Sequence, residues 1–282
     1  MQTQPLDLTG ATGARLSAQL DLPDGAPLAY VLLAHCFTCS MRSLGSVHIA
    51  RALAARGLAV VRFDFAGLGE SAGTFADTSF SGDVADLKAV AAQMAARGTP
   101  IRLLVGHSIG GAAVLAAAGD LPDVAAVATI GAPFKAEHLT EMFKGGLDEI
   151  LAKGEAEVML GGRPFTVRRS FVDDLRAQDQ GARIEALHRP LLILHSPQDA
   201  VVGVDNASQI FMAARHPKSF VCLDHADHLL TRAKDSEYAA EVIAAWASRY
   251  LASAQAEPAS PPPSLACSSA VRAWRPAVIA TA

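Results

Sequence analysis

Between residues 28 and 251 short β-rich runs alternate with Ala-rich stretches of helical spacing, and no other feature constrains the fold as tightly. "LAYVLLAH" (28–35) is almost continuously apolar, as a strand buried on both faces must be. "SVHIARALAARG" follows with apolar residues at helical spacing and a stop at Gly57. The pairing recurs in "LAVVRFDF" (58–65) with a helix around 84–98, and in "IRLLVGHS" (101–108) with a small-residue helix from Ile109. "VAAVATIGAP" (124–133), "PLLILHSPQD" (190–199), a helix near 205–215, "SFVCLD" (219–224) and a helix over 236–251 complete the series. Strands joined through helices lie parallel with right-handed crossovers, so the expected class is α/β with a doubly wound, mostly parallel sheet. "LDLTGATGARLSAQLDLPDG" reads differently, as an antiparallel hairpin about a Gly-rich turn at the sheet edge.

Two segments break the rhythm. Residues 134–188 hold the amphipathic "HLTEMFKGGLDEILAKG" and then "AEVMLGGRPFTVRR", where Gly161-Gly162 suggests a hairpin. Placed between two core strands, this insert is expected to form a small cap on one side of the sheet. Residues 252–282 are rich in Pro, Ser and Ala and read as a flexible tail. The expected organisation is one domain over 1–251 with that cap, followed by the tail.

Composition narrows the function classes. Lys and Arg total 24 against 28 Asp and Glu, with no basic block, which disfavours nucleic acid and anionic membranes as partners. No run approaches the roughly 18–20 apolar residues of a membrane helix. The N-terminus has neither a basic nor an apolar leader region. Four cysteines in 282 residues do not make a disulfide scaffold, so a cytoplasmic location is expected. Oligomeric state leaves no mark in the sequence.

The strongest chemical signal is "GHSIGG" (106–111), a G-x-S-x-G at a strand-to-helix junction. Such a turn presents Ser108 above the carboxyl edge of the sheet, and glycines at 106 and 110 let it close tightly. A serine hydroxyl needs a base, and the base needs an orienting acid. Asp199 ends the run "LLILHSPQD", and His228 lies in "DHADHLL" after the last strand, which gives the order Ser, Asp, His. His225 competes with His228, and Asp64 and Asp205 compete with Asp199. His107 adjoins the serine, but neighbouring strand residues face opposite ways. His195 reads as a hydrogen-bonded core residue. "HADH" lacks a second ligand cluster, so no metal is expected. "GLGESAG" (67–73) departs from a nucleotide-binding glycine pattern and reads as a tight βα turn.

"HCFTCS", "RFDFAGLGES", "GHSIGG", "HSPQDAVV" and "HADHLL" occur in the order used by the α/β-hydrolases, and the chain resembles that superfamily over nearly all of 1–251. More narrowly it resembles the hydrolase half of bacterial proteins in which such a domain is joined to an OsmC-like peroxide-reductase domain. The resemblance implies a serine esterase with Ser108, Asp199 and His228 as its triad and no cofactor. About thirty residues after 252 leave no room for the second domain, so peroxide reduction is not carried over. In this fold the oxyanion amides come from the loop after the third strand and from the residue after the nucleophile, here Phe37 and Ile109.

The expected activity is therefore hydrolysis of a small-molecule ester through an acyl-enzyme. Thioesterase, acyl-peptide and C–C bond hydrolase chemistry share the same residues. Substrate choice falls to the cap, where Met142, Phe143, Met159, Phe165 and Phe171 are candidates for an acyl pocket. A short insert favours small to medium acyl groups.

Cys36 and Cys39 form a C-x-x-C inside the oxyanion loop. A metal would want a second pair, and Cys222 and Cys267 stand apart. A redox centre would want its first cysteine opening a helix, whereas Cys39 is nearer one than Cys36. The expectation is two thiols packed under Ser108, with the main chain doing the chemistry. A thiol redox protein using the pair is the weaker alternative. On the stronger reading, a Cys36→Ser, Cys39→Ser chain keeps most of its hydrolysis.

Overall fold

Strand runs with no polar face lie in the middle of a sheet that helices cover on both sides. The computed structural model describes residues 1–37 and 39–251. The chain begins with strands β1 (Gln2–Thr9), β2 (Arg15–Leu22) and β3 (Ala29–Ala34), then helix α1 (Leu44–Ala55), β4 (Leu58–Phe63) and α2 (Phe80–Ala96). Next come β5 (Ile101–His107), α3 (Ile109–Ala117), β6 (Ala126–Ile130), α4 (Lys144–Lys153), β7 (Glu155–Leu160) and β8 (Arg163–Arg168). Helices α5 (Arg169–Arg176) and α6 (Gln180–Glu185) precede β9 (Leu191–His195), α7 (Asp205–Ala213), β10 (Lys218–Cys222) and α8 (Ala233–Leu251).

Eight strands form one sheet in the order β1-β2-β4-β3-β5-β6-β9-β10. β1 pairs antiparallel with β2, and β2 with β4, while every other neighbour is parallel. The α/β class and the N-terminal hairpin at one edge are therefore as the hydrophobic pattern predicts. From β3 the chain steps one way to β4 and then returns to β5 on the other side of β3. Such a reversal opens a crevice at the carboxyl ends of the two strands, where α/β sheets bind ligands.

Alternate residues of each strand feed two cores. Val31, Leu33, Val60, Leu103 and Leu192 pack with Ile49 and Leu53 of α1 and Ile243 of α8. Leu32, Val61, Leu104, Val127 and Ile193 pack on the other face with Leu87 of α2, Val114 of α3 and Ile210 of α7. Each such side chain contributes roughly 1.5–3 kcal/mol by leaving water. The helix expected around 84–98 begins at Phe80, because the Ser79 hydroxyl accepts from the Gly82 amide at 3.0 Å and caps it.

β4 carries one charge into the core. Arg62 is buried, and its Nε donates to Asp21 of β2 at 2.6 Å. Its Nη1 donates to the carbonyl of Met41 in the loop after β3. Asp64, just past β4, accepts the Met41 amide at 2.6 Å. One strand thus fixes both polar groups of Met41.

The 134–188 segment contains a 3₁₀ stretch (Ala136–Phe143), α4, the separate β7–β8 hairpin, α5 and α6. Gly161 and Gly162 make its turn, with φ of 57° and 77°, values that only glycine adopts at low cost. Ser81 of α2 holds this segment through Asp174 of α5, by its amide at 2.8 Å and its hydroxyl at 2.6 Å.

Candidate active site

β5 passes into α3 through Ser108, whose φ of 56° and ψ of −126° lie outside the favoured regions. Strain of this kind persists only where the surroundings fix it. The Ser108 amide donates to Ile130 O of β6 at 2.8 Å, and its carbonyl accepts the Gly111 amide at 2.8 Å. A Cβ at Gly106 would stand 2.4 Å from Gly110 O, and one at Gly110 would stand 2.4 Å from His35 O. Any side chain at either position pushes α3 off the ends of β3 and β5.

Ser108, His228 and Asp199 come together as a hydrogen-bonded series. His228 Nε2 lies 2.9 Å from Ser108 Oγ, and His228 Nδ1 lies 2.7 Å from Asp199 Oδ2. An ionised carboxylate only accepts, so Nδ1 carries the proton and Nε2 is free to take one from serine. The other Asp199 oxygen accepts the amides of Val201 and Val202, each at 2.9 Å. Burial pushes the Asp199 carboxyl up, but the bond from His228 and those two amides outweigh it and hold it below its ordinary value. The acid stays ionised and aimed at the imidazole.

The competing residues sit elsewhere. His225 has a side chain 75% exposed beside Asp224, and Asp205 starts α7. Asp64 is occupied by the Met41 and Glu70 amides, the latter at 2.9 Å. His195 is a core residue, its Nε2 hydrogen-bonded to Val202 O at 2.8 Å behind the Asp199 turn. Among the described residues no group of three or more His, Cys, Asp or Glu side chains is arranged to hold a metal.

His107 has a part that strand alternation hides. Its Nε2 lies 2.6 Å from the main-chain oxygen of His228, and the two rings are 5.3 Å apart. Burial, together with the neighbouring His228, pushes its pKa down to about 4, so it is neutral and donates that bond. The only sequence signal was a histidine next to the serine.

Phe37 follows β3 and Ile109 opens α3 just after β5, and β3 and β5 pair so that Ala34 lies beside Gly106. Among the described residues neither amide donates to a protein acceptor. Cys36 does not share the left-handed backbone found at Ser108, His188, His225 and Leu230, which is why cysteine is tolerated there. The two cysteines are not the packed thiols expected from the sequence: Cys36 and Cys39 form a disulfide. The bridge suits the short loop, because the Cα atoms are 5.3 Å apart. Cys222 is a free, exposed thiol, and Cys267 lies outside the described residues.

Of the five cap candidates, one reaches this loop directly and another through Phe75. Phe171 stacks on Phe37 with ring centres 6.0 Å apart, and Phe165 meets Phe75 at 5.0 Å. Phe75 in turn lies 5.5 Å from Phe37 and 5.8 Å from Phe171. Phe75 was missed because it stands in a turn after β4, far from the cap in sequence. The other three candidates show no ring contact with Phe37 or Phe75 among the described residues. Phe143 is buried in the core that also holds Phe171, and Met142 is exposed. Met159 is 63% exposed because strand alternation turns it outward with Glu155 and Glu157.

No helix among the described residues is long and apolar enough to cross a membrane. Comparison with curated proteins gives no match. Among solved structures, the chain is similar to the esterase domain of a Rhodothermus marinus protein, with 47% identity and a TM-score of 0.73, covering 89% of this chain and 100% of that one. It shares its fold with Est1E of Butyrivibrio proteoclasticus, solved with ferulic acid, at 21% identity and a TM-score of 0.70, over 88% of this chain and 99% of that one. An α/β serine hydrolase without lid from Xanthomonas campestris matches at 23% identity and a TM-score of 0.62, over 93% and 98% of the two chains. The model of the alpha/beta hydrolase family matches residues 31–245, and the chain belongs to that family.

Proposed function

We propose that the protein is a serine hydrolase that cleaves carboxylic esters of small to medium acyl groups through an acyl-enzyme on Ser108. The observation that carries this reading is the series Asp199–His228–Ser108, with contacts of 2.7 and 2.9 Å. His228 Nε2 takes the Ser108 proton as Oγ attacks the ester carbonyl, and Asp199 steadies the imidazolium that results. The amides of Phe37 and Ile109 receive the negative oxygen, a role in which each donor is worth about 3–4 kcal/mol of barrier. His228 then protonates the leaving alcohol and activates the water that releases the acid.

The rings of Phe37, Phe75, Phe165 and Phe171 supply an apolar wall beside the oxyanion amides, suited to an acyl group of limited length. The reaction is proposed to need no cofactor, and the cytoplasm is the proposed compartment. The test is an acyl-chain series of p-nitrophenyl esters run beside fluorophosphonate labelling. Turnover falling off with chain length, and both signals absent in Ser108→Ala, is the expected result. Labelling or turnover that survives Ser108→Ala overturns it.

A further inference from the structure

The disulfide closes around the residue to which the reading above assigns an oxyanion amide. Cys36 and Cys39 bracket Phe37 and position 38, at the mouth of β3. Cys36 O accepts His35 Nδ1 at 2.7 Å and the Cys39 amide at 3.2 Å. Beyond Cys39 the chain is held at Met41 by Asp64 and Arg62. Among the described residues the bridge is the one covalent tie across this loop, beside those hydrogen bonds and the packing of the Phe37 ring on Phe75 and Phe171.

Access to the two sulfurs differs. Cys36 is 4% exposed, whereas Cys39 is only half-buried. Of the two residues, Cys39 is therefore the one open to an external thiolate, and Cys36 is shielded.

We infer that Cys36–Cys39 is a thiol–disulfide exchange site that sets the rate of ester hydrolysis, with a dithiol reductant as its partner; this rests on the esterase reading. One thiolate of the dithiol attacks Cys39 Sγ, the Cys36–Cys39 bond breaks, and Cys36 leaves as a thiolate that takes up a proton. The second thiol of the reductant then attacks the mixed disulfide and Cys39 leaves as a thiol. The protein gains two electrons and two protons, and the dithiol becomes a cyclic disulfide.

Without the bridge the Phe37 amide is no longer held at the site of the developing negative charge. A donor to that charge acts in the transition state and not on bound ester, so kcat falls while KM holds. This reverses the expectation that the thiols are idle. Chain fixation by Asp64 and Arg62 at Met41 remains in the reduced form, so the change is local.

The experiment uses the full chain, oxidised and then reduced with dithiothreitol, with p-nitrophenyl acetate as substrate. Alkylation and mass analysis count the free thiols at Cys36 and Cys39 in each state. Reduction is expected to lower kcat by about 10–100-fold with KM within about twofold, and reoxidation to restore it. Cys36→Ala, Cys39→Ala should turn over at the reduced rate and ignore dithiothreitol, while Cys222→Ser keeps the full response. If the double variant fails to fold, the reversible wild-type cycle decides alone. Equal turnover by the oxidised chain and by a chain with both thiols alkylatable overturns this proposal only. Thiols that are both alkylatable before reduction overturn it too. No turnover and no fluorophosphonate labelling in either state overturns the esterase reading and this proposal with it.

Discussion

His107 Nε2 stands 2.6 Å from the main-chain oxygen of His228, so the residue before Ser108 holds the backbone of the residue bonded to the Ser108 hydroxyl. Removing the ring nitrogen leaves that carbonyl without its partner, a loss of about 1–3 kcal/mol for a buried group. His107→Phe should therefore lower kcat roughly tenfold, with KM for p-nitrophenyl acetate within about twofold. His107→Gln carries an amide nitrogen at comparable reach and should recover most of the loss. Equal kcat in His107→Phe and the wild type speaks against the bond's role.

The same histidine makes stability depend on pH. Its pKa is pushed down from 6.5 to about 4 on folding. Between those values the unfolded chain binds a proton that the native chain does not, so stability is full above the upper value and is lost as pH falls towards the lower. The loss amounts to roughly 3 kcal/mol at most. His35 and His195, also lowered by burial, act in the same direction. Urea melts at about pH 7 and about pH 5 should show the decline, and a smaller one in His107→Gln.

Asp199→Asn keeps the size of the side chain and removes its charge. It should cost roughly 10³–10⁴ in kcat while the thermal midpoint moves little. Asp205→Asn, at the start of α7, serves as the contrast and should stay within about twofold of wild type. A chain in which the two variants lose activity equally would reassign the acid.

Phe165 is half-buried and its ring meets Phe75, so trimming it opens the aromatic wall without emptying the core. Phe165→Ala should shift the p-nitrophenyl ester preference towards longer acyl chains by about two to four methylenes, near 0.8 kcal/mol each. Met159→Ala, on the solvent face of β7, should leave the preference as it is. The kcat/KM series against chain length reads both.

The strand order of Ser108, Asp199 and His228 was legible because hydrophobic runs mark strand ends and the turn chemistry at "GHSIGG" has few other uses. The reach of His107 was not. Alternation gives the direction of a Cβ, but its hydrogen bond goes to a loop 121 residues away, which folds back over the strand end. C-x-x-C spacing fits free thiols, a metal half-site or a bridge alike. Part of what fixes the loop around the cysteines is the pair of ties from Met41 to Arg62 and Asp64, and nothing near "HCFTCS" encodes them. Apolar residues in the cap could not be divided between its own core and the wall beside Phe37, because both uses need the same side chains.

β10 is last in the sheet order and has a neighbour on one side only. Native proteins open first where residues have fewest partners. The loop bearing His228 therefore hangs from one of the two edges of the sheet, where fraying starts, while Ser108 leaves a strand clamped from both sides. The His107 bond works as a stay from the rigid centre to that loose margin. On warming, amide protons of 218–222 should exchange before those of 101–107, and His228 should leave its place before Ser108 does. Heat would then silence the enzyme while most of it is still folded.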